Sequence, residues 1–183
     1  MKKPVRCLTF LFLAASLLIA PQSAFAQQVL LPGSAAQIDR LQSRCDSIMP
    51  TLRQLHTTDA LLRVNIGQVY NGVSSNLMVR LNSRLALNRI DSTKFVDITN
   101  RFESSRSEFS SSYNEYEEAM AKLLKIDCKS KPTEFYAQLI KTRDARKKLA
   151  NRVENLNNLL SEYRVEVERL QQDLKDKGAK GEN

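Results

Sequence analysis

Few residues in this chain are of a type and spacing that does chemistry. Cys45 and Cys128 are the cysteines of the chain body, Cys7 precedes an early apolar run, and His56 is the single histidine. Two thiols and one imidazole are too few soft ligands for a zinc site, so no metal is expected. The chemistry open to Cys45 and Cys128 is a bond to each other, provided the chain reaches an oxidising compartment. Closing their 83-residue separation would remove about 4–5 kcal/mol of unfolded-chain entropy in the loop-closure model. The alternative is two buried free thiols.

His56 has no Ser, Cys or acid motif around it in the sequence, and a surface or capping role is expected. Carboxylates are dense at Glu115, Glu117 and Glu118 and again at Glu162, Glu166 and Glu168. A glycosidase needs two of them across a cleft at a defined separation, and a narrow helical body offers no such cleft, so these read as solvated helix faces. Tyr113, Tyr116 and Tyr163 sit at or beside apolar-seam positions and read as core. The chain has no Trp and 5 Gly, none arranged as a phosphate-cradling loop. No catalytic residues, no cofactor and no enzymatic activity are expected.

Charge is the remaining candidate. The chain carries 28 Lys and Arg against 20 Asp and Glu, a net +8. Its strongest cluster is Lys141, Arg143, Arg146, Lys147, Lys148 and Arg152, with Asp144 the single acid between them. Lys122, Lys125, Lys129 and Lys131 fall at the same end of the molecule if consecutive helices run antiparallel. Such a basic end attracts an anionic envelope polymer, a membrane surface or a protein partner through its long-range field. The plainer account is an ordinary solvated face, in which Asp144 and Lys148 form an i,i+4 pair. Nucleic acid is not expected, because no recognition motif is present and export removes the chain from the genome.

Export is read from residues 1–26. Lys2, Lys3 and Arg6 precede an apolar run from Leu8 to Ala20, Pro21 breaks it, and Ala24-Phe25-Ala26 supplies small residues where a signal peptidase cuts. The run is shorter than the roughly 20 residues a bilayer span needs; a retained anchor is the alternative. The expected organisation is a signal peptide over 1–26, a flexible leader over 27–33, one helical domain over 34–176 and a disordered tail over 177–183. No later segment reads as a transmembrane span, so the product is expected to be secreted or periplasmic.

The domain itself is expected to be all-α. Ser34 and Gln37 match a capping box, after which Ile38, Leu41, Cys45, Ile48, Leu52 and Leu55 recur at spacings of three and four. Pro50 predicts a kink or break near Met49. The pattern continues as Leu62, Ile66, Val69 and Val73, then slips one residue to Leu77, Leu81 and Leu85. The uncharged stretch Val64–Val79 reads either as a partner face or bending point, or as a strip buried between neighbouring helices. Asp91 or Ser92 caps a second helix, whose seam runs Phe95, Ile98, Phe102, Phe109, Tyr116, Ala119, Leu123 and Ile126, with Ser105 and Ser112 leaving room for large partners opposite. Pro132 opens a third, with Phe135, Leu139, Leu149, Val153, Leu156, Leu160, Tyr163, Val167, Leu170 and Leu174 in its seam. Short connections near 88–92 and 127–132 make the expected architecture an elongated antiparallel three-helix bundle of coiled-coil type. Antiparallel pairing brings Cys45 toward Cys128, but leaves about seven surplus residues on the first helix, expected to be absorbed at Pro50 or around His56-Thr57-Thr58.

The order Arg44-Cys45-Asp46, a long helical stretch, Cys128 before a Pro-containing loop and a final charged helix resembles small exported helical proteins of candidate-phylum bacteria with reduced genomes. That likeness covers residues 38–175 and implies no activity. The chain also resembles the Skp/OmpH periplasmic holdase chaperones, which are small, basic, exported and coiled-coil, and which implies a homo-oligomer that binds unfolded clients. Those chaperones build a trimeric core from short β-strands flanking their helical arms, and Gln27–Gly33 is too short to supply one.

Overall fold

The computed structural model describes residues 33–181. Every regular element among them is helical: α1 (Ala35–Ser43), α2 (Cys45–Gly72), a π-helical segment (Val73–Met78), α3 (Val79–Leu87), α4 (Thr93–Leu123) and α5 (Pro132–Gly181). The expected signal peptide, and the leader apart from Gly33, lie outside the described residues. None of the described helices is long and apolar enough to cross a membrane.

The first helix breaks earlier than expected. It passes through Pro50, and the interruption falls at Arg44, where φ −102° and ψ 9° separate α1 from α2. Because α2 starts afresh at Cys45, Pro50 lies close behind its first turn, where few ladder bonds are lost. The capping box also forms differently. Gln37 Oε1 accepts from the Gly33 N–H at 2.9 Å and from the Tyr136 hydroxyl at 3.2 Å, while Ser34 makes no side-chain cap. Asp91 does the work at the next start, accepting from both the N–H and the hydroxyl of Thr93.

The turn at 88–92 is a Schellman closure. The Ile90 N–H donates to the Leu85 carbonyl and the Arg89 N–H to that of Ala86. This places Arg89 at φ 56°, a left-handed position usually taken by glycine.

Helices α4 and α5 form the main body and run antiparallel. Their cross-links step down one helix while stepping up the other: Lys94 to Glu166, Arg101 to Glu162, Arg152 to Glu108, Lys148 to Glu115 and the Thr142 hydroxyl to the Ala119 carbonyl. The seam expected on α4 is buried at Phe95, Ile98, Phe102, Phe109, Tyr116 and Leu123. Tyr70 stands edge-on to Phe102 and Phe109, with ring centroids 6.0 and 5.8 Å away. Ser105, between those two phenylalanines in the sequence, accepts a hydrogen bond from the Asn155 amide of α5 at 2.9 Å.

The register of α2 against α4 shows where the surplus residues go. From the Cys45–Cys128 bond to the His56–Glu117 contact both sides advance equally, from 45 to 56 and from 128 to 117. From Ser74–Glu103 to Asn82–Thr99 the first side advances from 74 to 82 while α4 gives up only 103 to 99. Between these intervals the first side advances from 56 to 74 while α4 gives up 117 to 103, so the excess is shared by the stretch that begins at His56-Thr57-Thr58 and by the π-helical segment, whose wider turns hold additional residues. Pro50 absorbs none of it.

Two buried clusters result. One gathers Tyr70, Met78, Leu85, Phe95, Phe102 and Tyr163; the other gathers Leu41, Tyr116, Met120, Leu123 and Phe135 around the Cys45–Cys128 disulfide, whose Cα atoms are 5.7 Å apart. Between Cys45 and Tyr70, α2 contributes no fully buried residue. At the other end α5 runs to Gly181, beyond the end expected near Asp176, so the tail expected to be disordered is helical as far as it is described.

Candidate functional site

Residues 62, 69 and 77, expected in a closed seam, are about half exposed: Leu62 at 50%, Val69 at 59% and Leu77 at 60%. Tyr70, Ser74 and Met78 are buried instead. The uncharged stretch Val64–Val79 therefore does two things: Tyr70, Ser74 and Met78 are buried, while Val64, Val69, Leu77 and Val79 stay exposed. Helix α5 runs parallel to α2 because each is antiparallel to α4, and Ile66 and Val73 pack on the core that the two share. No Cα of α2 or α3 comes within 8 Å of one in α5 among the described residues, and the two sides are joined by side chains, Asp59 to Arg146, Tyr70 to Asn157 and Met78 and Asn82 to Tyr163.

Three grooves follow this side of the molecule. The middle one, about 550 Å³, is floored by Leu62, Ile66, Phe109, Tyr113, Leu149 and Val153. Its rim carries Arg63, Arg143, Arg146 and Lys147, with Asp59 the single acid. Toward the disulfide a second groove of about 540 Å³ shares Arg143 and Arg146, adds Arg40, and has Leu41, Leu52, Leu55 and Leu139 among its apolar walls. Toward the far end a third, about 460 Å³, has Arg80, Arg84 and Arg164 beside Leu77, Leu81 and Val167. Neither of these two has an acid in its wall.

The middle groove is held by a polar knot that the sequence does not announce. Asp59, its side chain 11% exposed, receives two hydrogen bonds from the Arg146 guanidinium at 2.8 and 3.1 Å and one from the Tyr116 hydroxyl at 2.7 Å. Burial raises the Asp59 pKa, but the bonds from Arg146 and Tyr116, with the charge of Arg146, outweigh it and hold the carboxyl below its ordinary value. Burial, then the Asp59 carboxylate, pushes the Tyr116 hydroxyl far up, so it stays a donor. Beside this knot His56 Nε2 meets Glu117 at 2.5 Å, Glu117 also accepts from Tyr113, and Arg63 lies 4.5 Å over the Tyr113 ring. The acid partner of His56 arrives from α4, 61 positions away, which no local motif could reveal.

The ten cations expected as one basic end separate into different surroundings. Arg143, Arg146 and Lys147 turn into the groove. Lys148 and Arg152 reach across α4 to Glu115 and Glu108 and are neutralised there. Lys122, Lys129 and Lys131 pair with Glu118, Asp46 and Glu134 on exposed surface. Lys125, Lys141, Arg143 and Lys147 have no ion-pair partner among the described residues. Of the carboxylates read as solvated faces, Glu162 binds Arg101 and Glu166 binds Lys94. Asp127 lies beside Cys45 and Cys128, but both sulfurs are committed to the disulfide, leaving no thiolate to bind a metal.

A scan against protein-family models and searches of curated proteins and of solved structures find no match.

Proposed function

We propose that this chain is an extracytoplasmic, non-enzymatic binding protein, an elongated antiparallel three-helix bundle of coiled-coil type that captures an anionic component of the cell envelope. The observation carrying this reading is the row of three grooves along the face shared with α5: apolar floors, cations in each and Asp59 as the single lining acid. Arg143 and Lys147, without acid partners among the described residues, are free to meet an anion. The working surface is thus the groove flank rather than the whole basic end. Export through residues 1–26 is supported by the disulfide, which persists in oxidising compartments. Cleavage predicts a product whose mass begins at Gln27.

The test is binding of the full exported chain to a polyanion, polyglutamate, and to phosphatidylglycerol vesicles, over a salt series. Binding should weaken as ionic strength rises from about 0.05 M to about 0.5 M, because exposed charge interactions are screened over a few ångströms there. The double substitution Arg143→Glu with Lys147→Glu should abolish it. Binding indifferent to salt, or absent with every anionic probe, counts against the reading.

The exposed apolar line at Leu62, Val69 and Leu77 also favours a second reading, a holdase chaperone of the kind the Skp/OmpH resemblance implies. It predicts an oligomer that suppresses aggregation of an unfolded client at near-equal concentrations. A strict monomer without that effect removes it.

A further inference from the structure

We propose that the middle groove binds one single-chain anionic amphiphile of the fatty-acid kind, its carboxylate held at a cationic end and its chain laid along an apolar end. This rests on the binding reading above and names the ligand of one part of that same surface.

The groove is bounded at both ends by bonds from α2 to α5. Toward the disulfide, Asp59 accepts two hydrogen bonds from Arg146. Toward the far end, one turn beyond the last lining residues Ile66 and Val153, the Tyr70 hydroxyl donates to Asn157 Oδ1 at 3.3 Å. From 59 to 70 on α2 and from 146 to 157 on α5 the two cross-links are equally far apart, so the space between them is about 16 Å long at about 1.5 Å per residue. An extended alkyl chain advances about 1.25 Å per carbon from its bond length and angle, which makes about twelve carbons the length that fits. The groove's volume of about 550 Å³ lies within the roughly 300–1,000 Å³ common to small-molecule sites. A polymer strand or a docked protein segment needs a groove that runs on at its ends, and this one is barred.

The lining is also sorted along its length. Arg143, Arg146 and Lys147 stand at the disulfide end, and Arg63 lies 4.5 Å over the Tyr113 ring. Side chains lean toward the N-terminus of their helix, which in two parallel helices is the same end, so Arg63 and Lys147 both carry their charge toward the Asp59 cross-link. Asp59 is already satisfied by Arg146 and Tyr116, which leaves Arg63, Arg143 and Lys147 without a carboxylate partner among the described residues. Ile66, Phe109, Leu149, Ala150 and Val153 line the other end, with no polar side chain among them. A fatty acid is divided in the same way. Its planar carboxylate matches the fork of an arginine, and each methylene of its tail is worth up to about fourfold in affinity when buried. A polyanion would leave the apolar half uncovered, and a neutral lipid would leave the cations unanswered.

The experiment is isothermal titration calorimetry of the full disulfide-bonded chain with dodecanoate below its micelle concentration. Octanoate, dodecyltrimethylammonium, polyglutamate and phosphatidylglycerol vesicles are run beside it. Dodecanoate should bind once per chain, at least about tenfold more tightly than octanoate, which buries fewer methylenes. It should likewise exceed dodecyltrimethylammonium, whose head the cations repel. Ala150→Trp, at an exposed residue of the apolar half, fills the space of the chain and should weaken dodecanoate by about tenfold or more. Val165→Trp, exposed and outside the groove walls, should not. Neither variant removes a cation, so both should bind polyglutamate as the parent does, with an unchanged circular dichroism spectrum. No dodecanoate binding with polyglutamate binding intact overturns the amphiphile and leaves the anionic reading standing. Equal affinity for the cationic amphiphile, or no effect of Ala150→Trp, overturns it too, because the charge or the groove then does not select the ligand. Binding of vesicles without dodecanoate makes a bilayer surface the target and also overturns it. Binding to none of the probes removes both readings.

Discussion

Arg89 and Asp59 show how single side chains set local stability here. Arg89 closes α3 at a positive φ, where an L side chain is strained by about 1 kcal/mol and glycine is not. Arg89→Gly keeps both backbone bonds of the turn, so it should raise stability by roughly 0.5–1 kcal/mol in urea unfolding; a loss would mean that the Arg89 side chain has a role its exposed position conceals. Asp59 makes a pH prediction. Its folded pKa is depressed, so the stability it contributes is present above the unfolded carboxyl's ordinary value of about 3.9 and is lost as pH falls through the lower folded value. The wild-type chain should therefore lose more stability than Asp59→Asn between about pH 5 and about pH 2. At neutral pH Asp59→Asn should cost on the order of 1 kcal/mol, since the amide oxygen still accepts from Tyr116 and Arg146 is half exposed to water. Parallel acid titrations of the two proteins would dismiss this role.

At the scale of elements, what was legible in the sequence is what periodicity encodes. The α4 seam from Phe95 to Leu123 was readable because large apolar residues hold one heptad register there across the two inner serines, Ser105 and Ser112, and Pro132 marked the start of α5 through its fixed backbone angle. The seam of α2 was readable as a stripe, but not that Leu62, Val69 and Leu77 stay exposed while Tyr70, Ser74 and Met78 are buried. Spacing reports which residues share a face; which of them pack inward depends on partners such as Asn157 and Arg146 that arrive from α5. The π-helical segment was foreshadowed by the one-residue slip between Val73 and Leu77, while of the two places expected to absorb the surplus, Pro50 and His56-Thr57-Thr58, the register is unbroken across Pro50. If the segment stores an additional residue, deleting exposed Asn76 should let it relax to α-helix with Tyr70 and Leu85 still facing α4. Such a variant should melt within a few degrees of the parent, whereas deleting exposed Gln68 from α2 should turn one half of the helix by about 100° and collapse the transition. Equal damage from both deletions would show that the wide turns hold no spare residue.

Across the whole molecule, the tightly packed pair α4 and α5 carries a loosely attached partner. Helix α2 is tied down at Cys45, leans on α4 through the Asp59 and His56 contacts, and becomes buried again only at Tyr70. The disulfide closes a loop containing α2, the π-helical segment, α3 and α4, and leaves the α4–α5 packing outside its control. Its removal should therefore act unevenly. The double substitution Cys45→Ala with Cys128→Ala should cost on the order of 4 kcal/mol in the loop-closure model, a large share of the 5–15 kcal/mol that holds a typical domain together. Within the surviving native state, amide hydrogens of α1 and α2 should exchange much faster than before, while those of α4 facing α5 slow or hold relative to the global rate, because local opening tracks the number of buried contacts that must break. The measurement is native-state hydrogen exchange by mass spectrometry on oxidised and cysteine-free chains. Uniform acceleration across all helices would mean that α2 is no separate unit but part of one cooperative body. The three grooves beside α2 would then be fixed surface features, formed without any movement of that helix.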